Sequence, residues 1–243
     1  MASERTYAVA LVFALTQGPV YSGWYASGKS TEFVPNPGMP LVHYATFMAV
    51  QIPALMLLGR RMDMLHFKSW GPRLFVAFLV WMNASTLWSV LSRQTVIESV
   101  ALTVTALCGL YLMVTFDIAN RLQIIFLAMQ VGVVASVFAV LRNWDLSTSD
   151  SGGYWIGIYL NRNSLAPVAA IGILAGVFLL PKWRCADPSL LSIGRLAIVA
   201  FVLLDVFVLW RSESTTSPAA LALAAVGVAY WQVMRLIAVR FSD

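Results

Sequence analysis

Long apolar runs separated by short charged breaks restrict the fold of this chain more than any other feature. A helix needs about 20 mostly apolar residues to cross the hydrocarbon core of a bilayer. Because these runs lack the alternation of barrel strands, helices are the spanning structure that satisfies their backbone. The sequence therefore predicts an all-α polytopic transmembrane helical bundle of about eight spans, forming a single transmembrane domain over residues 1–243. The predicted spans are 6–24, 41–59, 70–90, 96–116, 121–141, 164–181, 195–211 and 217–236.

The composition supports lipid as the main solvent of the chain. Of the 243 residues, 60% are hydrophobic and 11% are charged, whereas a soluble domain carries roughly 25% charged residues. A net charge of +5 could suggest nucleic acid, but the basic residues are spread over several loops and do not line one face. The predicted surroundings are therefore membrane lipids and not nucleic acid. Cys108 and Cys185 form neither a disulfide framework nor a metal pair.

The distribution of basic residues predicts the orientation in the membrane. Cytoplasmic loops carry an excess of Lys and Arg. A cytoplasmic N-terminus places eleven of the 16 basic residues inside. The prediction is therefore a multi-pass protein of the cytoplasmic (inner) membrane with both termini in the cytoplasm. This orientation depends on the short turn at 117–121, because losing one span there would invert everything that follows.

Four arginines lie on the outer side against this bias, each at the end of a predicted span: Arg93, Arg142, Arg162 and Arg211. One explanation is that each guanidinium reaches the outer headgroups while its stem stays in the apolar region. The other is a function, and it is favoured by the placement of three of them on consecutive helices.

The residues around these arginines are suited to binding an anion. Asn161 and Asn163 flank Arg162 and are of the type that caps a helix N-terminus, where phosphate binds readily. Ser214 follows Arg211 and precedes Pro218, a residue favoured in the first turn of a helix. The sequence therefore predicts one phosphate-binding cluster on the external face, formed by Arg142, Arg162, Asn163, Arg211, Asn161 and Ser214.

The connection at residues 141–163 is polar at its start and aromatic at its end. Aromatic residues such as Tyr154 and Trp155 commonly anchor a protein at the membrane interface. The alternative is a re-entrant or surface-lying segment that walls a cavity, which is tolerated only where protein or water covers its backbone.

Three motifs resemble those of the O-antigen ligases and related Wzy-type polysaccharide polymerases. The stretch GYWIGIYLNRNSLAPVAA from Gly153 resembles the family's Gly–aromatic–x–Gly run, which leads into an Asn/His–Lys–Asn–x–Leu motif at a helix start. The stretch LWSVLSRQTVIESVAL from Leu87 is similar to the family's Leu–Trp–Ser turn, and LWRSESTTSPAALALAAV from Leu209 resembles its Ser–x–Ser–Arg–Thr–Ala segment. The resemblance covers roughly residues 40–238.

The resemblance implies a membrane glycosyltransferase that uses no metal or other cofactor. It would transfer a glycan from a polyprenyl-diphosphate donor to an acceptor hydroxyl on the outer face of the membrane. Arginines would neutralise the leaving diphosphate, which stabilises charge that develops in the transition state. Arg162 and Asn163 occupy the positions that match the family motif most closely, with Arg162 in place of the common Lys.

The chain departs from the family in two respects. Thr215 stands where the motif Ser–x–Ser–Arg–Thr has its arginine. The family also carries a large external loop with a histidine thought to act as the base, and neither His43 nor His66 matches it. The chain thus resembles the first two thirds of such an enzyme, or a short relative. A non-catalytic membrane partner of other envelope-assembly proteins is a second explanation.

Asp205 lies in the middle of the seventh predicted span and supports a rival function. A carboxylate there costs about 2.5–3.5 kcal/mol on insertion scales, so it should face the bundle interior with a partner. The alternatives are an ion- or proton-coupled transporter and a purely structural Asp. Three amides are expected to form hydrogen bonds between helices, and a GxxxG pair in the sixth span predicts close helix packing; these residues are Gln51, Asn83, Gln130, Gly172 and Gly176.

Overall fold

The computed structural model describes residues 2–17, 41–64, 70–143, 147–148, 153–159, 162–183 and 188–240. Within these ranges the chain is helical, as predicted, and it forms no β-strand beyond one isolated bridge between Thr148 and Trp155. The α-helices are α1 (Ala2–Gln17), α2 (Leu41–Gly59), α3 (Trp70–Ala84), α4 (Ser92–Thr115), α5 (Ile118–Leu141), α6 (Arg162–Leu179), α7 (Pro188–Arg211) and α8 (Thr216–Arg240).

Each predicted span overlaps one of these helices, and four segments are long and apolar enough to cross a membrane. They are Thr95–Thr115, Ile118–Leu141, Asn163–Lys182 and Leu191–Arg211. Ala49–Gly59 and Thr216–Tyr230 are apolar but shorter. The four long segments indicate a membrane protein.

Two helix boundaries differ from the prediction for local reasons. α3 ends at Ala84, before the predicted end at residue 90, and a short 3₁₀ helix (Ser85–Leu87) follows. There the hydroxyls of Ser85 and Thr86 donate to the carbonyls of Met82 and Asn83, a pattern that competes with helix continuation. α7 begins at Pro188, earlier than the predicted residue 195, because proline suits the first turn of a helix.

The short turn on which the predicted orientation depends is a true helix boundary. α4 ends at Thr115, and Phe116 has extended backbone angles (φ −118°, ψ 144°). Asp117 then accepts a 3.0 Å hydrogen bond from the backbone N–H of Asn120, which caps the start of α5. The chain therefore does not continue as one long helix through this point.

The chain divides into two compact units, the first holding α1–α4 and the second holding α5 from Leu122 onward with α6–α8. In the first unit, α2 packs against α1 and α4, and α3 packs against α4. One polar cluster joins the ends of α1 and α4 to the turn after α2. Glu4 pairs with Arg61 at 2.9 Å and accepts from the hydroxyl of Tyr111, while Arg61 also donates to Thr115. That the chain forms a single transmembrane domain stays a prediction.

Two amides of the first unit were expected to bond between helices. The Asn83 side chain donates to the hydroxyl of Thr103 at 2.8 Å and so joins α3 to α4. Gln51 is buried in α2, but its side-chain amide has no hydrogen-bond partner among the described residues. Within the described part of the chain, Gln51 therefore does not form the expected hydrogen bond between helices. No described donor or acceptor lies within reach of its side chain.

In the second unit α6 packs against α7 and α8, and its glycines allow close approach to the neighbouring helices. A Cβ at Gly176 would lie 2.5 Å from Cγ2 of Val202 in α7 and 3.0 Å from Cε2 of Phe126 in α5. The apolar core at this level consists of Phe126, Ala175, Leu179 and Ile198. The small-residue pair Gly172/Gly176 thus packs within the bundle, as the sequence predicted.

We predict that Gly176→Ala destabilises the protein, because the added methyl would overpack the contact with Val202 and Phe126 at a cost of about 1–3 kcal/mol. Gly109→Ala in α4 is the matched control, since nothing lies within 4 Å of the added methyl and alanine is the better helix former. Thermal unfolding of the purified variants in detergent measures the difference. Equal melting temperatures for the two variants would contradict the packing.

Candidate functional site

Most of the predicted site residues that the structure describes lie at one end of the second unit, here called the polar end. It is formed by the start of α6, the end of α7, the turn before α8 and the segment 153–159. The hydroxyl of Ser214 donates to Oδ1 of Asn163 at 3.4 Å and joins the turn before α8 to α6. The backbone N–H of Trp155 donates to the carbonyl of Arg211 at 3.0 Å and joins segment 153–159 to α7.

Arg211 is held in place by an aromatic ring and a carbonyl. Its guanidinium carbon lies 5.6 Å from the centroid of the Trp155 ring, and Nη2 lies 3.5 Å from the carbonyl oxygen of Gly153. Trp155 in turn packs edge-on against Phe207 at 5.4 Å. The positive charge of Arg211 in the last turn of α7 also offsets the negative end of the helix dipole.

Among the described residues, the carbonyl of Gly153 is the one hydrogen-bond acceptor of the Arg211 side chain. The other N–H groups of the guanidinium can therefore bind an anion.

The turn before α8 brings Ser214 to the start of α6. Glu213 has a positive φ of 51°, which reverses the chain after α7. Ser214 is buried, and its hydroxyl also lies 3.2 Å from that of Thr216, the first residue of α8. The two helix N-terminal ends are therefore joined through polar side chains.

The structure changes the interpretation of the asparagines beside Arg162. α6 begins at Arg162, so Asn163 lies inside the first turn and is not the capping residue. Its side chain is exposed and receives the hydrogen bond from Ser214. Asn161 and the side chain of Arg162 lie outside the described part of the structure.

Arg142 is not joined to the rest of the polar end by any contact among the described residues. It is exposed just after α5, and its guanidinium carbon lies 5.3 Å from the centroid of the Phe138 ring. This geometry fits an arginine whose stem and charge lie along its own helix. Of the predicted cluster, the structure therefore joins Asn163 to Ser214 and fixes Arg211 on the neighbouring segment.

Segment 153–159 packs between the helices along the side of α5 and does not simply cross the end of the unit. The backbone N–H of Ile158 donates to the hydroxyl of Ser136 at 3.2 Å, and the buried ring of Tyr159 reaches Gly132. Gly132 precedes the last residue of α5, Leu141, by nine positions, which corresponds to about 13 Å along the helix. The segment therefore packs into the interior of the second unit, and its re-entrant course in a membrane stays a prediction.

The N–H groups in the second part of this segment are satisfied, as a low-dielectric interior requires. Consecutive N–H groups from Trp155 to Tyr159 each have an acceptor: Ile156 and Gly157 donate to the carbonyl of Ser147 at 2.9 Å, and Tyr159 donates to Ile156. Gly157 has φ +68°, and a Cβ there would overlap the side chain of Ser136. Glycine at this position is needed for both the turn and the close contact with α5.

An apolar groove of about 310 Å³ runs between α6 and α8 from the polar end. It extends along α6 from Pro167 to Leu174, which is about 10 Å of helix. Its wall on α8 begins at Thr216 and Ser217, next to Ser214. The groove is lined by Pro167, Ala170, Ile171, Leu174, Thr216, Ser217, Ala220 and Leu221.

Asp205 lies in the interior of the second unit, with no exposed surface. The side-chain amide of Gln130 in α5 donates to its Oδ2 at 2.7 Å. Gly172 of α6 completes the contact, because any Cβ there would overlap Oδ2 of Asp205. The sequence singled out each of these residues, but it did not indicate that they meet.

Sequence reasoning did not identify the residues through which segment 153–159 packs against α5, namely Gly132, Ser136 and Tyr159. The signal available for them is weak: Gly153 and Gly157 bracket an aromatic pair, which marks a turn but not its partner on α5.

Neither protein-family models, curated proteins nor solved structures give a match to this chain.

We predict that Gly157→Ala destabilises the protein more than Gly153→Ala does. Both glycines have nearly the same positive φ, 68° and 67°, so the backbone strain introduced by a side chain is similar. A methyl at Gly157 would collide with Ser136, whereas nothing lies within 4 Å of one at Gly153. Thermal unfolding of both variants isolates the steric cost, and an equal loss in both would show that the segment does not pack against α5.

Proposed function

We propose that the polar end binds the diphosphate of a polyprenyl-linked glycan, and that the protein belongs with the O-antigen ligase-like membrane glycosyltransferases. The observation that carries this proposal is the position of the apolar groove beside the polar end. A lipid diphosphate needs a basic, hydrogen-bonding site for its head and an apolar surface for its chain, and the polar end and the groove supply both next to each other.

Arg211 supplies the charge in this proposal. Stacking on Trp155 restricts the orientation of the guanidinium while leaving its edge for hydrogen bonds. A bound diphosphate would receive charge-assisted hydrogen bonds from that edge, which are stronger than neutral ones. The starts of α6 and α8 add the positive ends of two helix dipoles on the same side. The resemblance of 153–165 to the family motif adds Arg162 as a second cation.

The proposal includes a topology in which the polar end faces the outside of the cytoplasmic membrane. About eight crossings with both termini in the cytoplasm put the C-terminal ends of α5 and α7 on that side. The break between Thr115 and Ile118 supports the count of crossings on which this orientation rests. The donor would then be bound where lipid-linked glycans are used.

In this mechanism the acceptor hydroxyl attacks the anomeric carbon of the donor, and the polyprenyl diphosphate leaves. Arg162 and Arg211 would stabilise the negative charge that grows on the leaving diphosphate, and removing one such contact typically lowers the rate by about 10²–10³. The base that accepts the proton of the hydroxyl is not assigned to a residue of this chain. A non-catalytic partner that binds the same lipid for other envelope-assembly proteins is the second candidate.

We predict that Arg211→Gln weakens binding of a long-chain polyprenyl diphosphate about tenfold or more, because a hydrogen bond to a charged group contributes about 1.5–3 kcal/mol. Arg195→Gln is the matched control, since Arg195 is exposed near the opposite end of the same helix. Binding of labelled polyprenyl diphosphate is measured with the protein in nanodiscs. A polyprenol of equal chain length, which lacks the diphosphate, shows how much of the affinity depends on the diphosphate. Unchanged affinity in Arg211→Gln would refute the site.

The same variants separate the two candidate functions in cells. For the transferase, Arg211→Gln and Arg162→Ala should reduce polymer transfer by about 10²–10³ at unchanged protein levels. For the non-catalytic partner, the purified protein should bind the lipid-linked glycan without ever releasing polyprenyl diphosphate from it.

We predict that Ala220→Trp blocks the groove and weakens binding of a long-chain polyprenyl diphosphate, but not of a short-chain analogue with the same head. Ala220 lines the groove, and the indole would fill space that the hydrocarbon chain needs. Ala222→Trp is the control, because Ala222 is also exposed on α8 but does not line the groove. Equal effects of Ala220→Trp on both lipids would show that the hydrocarbon chain does not bind in the groove.

A further inference from the structure

The buried pair Asp205 and Gln130 has two oxygen atoms without a hydrogen-bond donor among the described residues. Gln130 uses its N–H₂ group to donate to Oδ2 of Asp205, but Oδ1 of Asp205 and Oε1 of Gln130 are both buried and unpartnered. An unsatisfied buried acceptor costs about 1–3 kcal/mol, and more when it is charged. A proton on the carboxyl group, or a cation beside it, would satisfy Oδ1.

Among the described residues of α5, α6 and α7, the lysines and arginines are too far along their helices to supply this charge. On α7 itself Arg211 is six positions and Arg195 ten positions from Asp205, about 9 and 15 Å along the helix. α6 carries no charged residue between Asn163 and Leu179.

On α5 the nearest charged residue before Gln130 is Arg121, nine positions away, and Arg142 lies twelve positions beyond it, about 13 and 18 Å. Segment 153–159 contributes the phenols of Tyr154 and Tyr159 but no charge. The titratable and charged groups facing the pair from α5, α6, α7 and this segment therefore include no permanent counter-ion.

α6 approaches the pair closely. Gly172 lets α6 approach so far that a Cβ would overlap Oδ2 of Asp205 and lie 3.2 Å from Nε2 of Gln130. Toward the polar end, the hydroxyl of Tyr159 reaches Gly132, and the buried hydroxyl of Ser136 follows one turn further along α5. The Ser136 hydroxyl donates to the carbonyl of Gly132 at 2.8 Å and accepts from the N–H of Ile158.

We propose that Oδ1 of Asp205 and Oε1 of Gln130 bind a monovalent cation, H⁺ or Na⁺, inside the membrane-spanning part of the protein. Oxygen atoms are the shared ligand chemistry of both ions. The site is separate from the polar end, and the inference stands whether or not the protein binds a lipid diphosphate. It supplies the binding step that an ion- or proton-coupled function would need.

The experiment uses the full chain in nanodiscs and a hydrophobic carbodiimide, which reacts with a protonated carboxyl group and can enter the apolar interior. Labelling of Asp205 is followed by mass spectrometry of its peptide as pH and Na⁺ are varied, with choline replacing Na⁺. Melting temperature is measured under the same conditions. Asp205→Asn, which keeps the shape but removes the charge, is the reference for both readouts.

A proton site predicts that Asp205 is labelled, whether constantly or increasingly at lower pH, without any effect of Na⁺. A Na⁺ site predicts that Na⁺ raises the melting temperature of the native protein but not of Asp205→Asn, and that it protects Asp205 from labelling. The inference is overturned if Asp205 stays unlabelled at every pH and the melting temperature of the native protein responds to pH and Na⁺ as that of Asp205→Asn does.

A pair of glycine variants distinguishes loss of the site from loss of packing. Gly172→Ala and Gly176→Ala both crowd α6 against its neighbours, but only the methyl at Gly172 enters the contact of Asp205 with Gln130. We expect both variants to be less stable and only Gly172→Ala to lose the cation response. If Gly176→Ala loses it equally, the response reflects general packing and not this site.

Discussion

The need to satisfy every backbone N–H and C=O group inside a low-dielectric region governs this structure. Helices meet it along the four long apolar segments without help from other parts of the chain. Segment 153–159 is not helical, and its N–H groups from Trp155 to Ile158 are satisfied instead by the carbonyls of Arg211 and Ser147 and the hydroxyl of Ser136. A buried serine in α5 therefore satisfies part of the backbone of this segment.

Close approach of helices follows from glycine at three positions, and it determines where polar groups can meet. Gly132 admits the ring of Tyr159, Gly172 admits the carboxylate of Asp205, and Gly176 admits Val202. Each glycine removes a side chain where another element must come within contact distance. The buried pair Asp205 and Gln130 and the packing of segment 153–159 thus depend on glycines at contact positions, as the packing of the apolar core does.

The helical class and the approximate positions of the eight described helices were predictable, because long apolar runs admit few other structures. Local chemistry was predictable too: Asn83 and Gln130 bond between helices, and Gly172 and Gly176 pack inside the bundle. The partners of these residues were not predictable, because apolar runs this uniform do not identify which face of a helix meets which neighbour. The start of α6 at Arg162 moved Asn163 from a cap to a first-turn position, a shift of two residues from the predicted start at residue 164 that no sequence pattern fixes.

The charged groups of the two units differ in the partners that they have. In the first, Glu4, Arg61 and Tyr111 neutralise and satisfy one another, so their cluster is explained by the stability it provides. In the second, Asp205 lies buried without a counter-ion, and Arg211 keeps donors that no described residue uses. The buried amide of Gln51 in the first unit also lacks a hydrogen-bond partner among the described residues, but it is neutral, and an unpaired buried charge costs more than an unpaired amide. We therefore place both proposed ligands in the second unit.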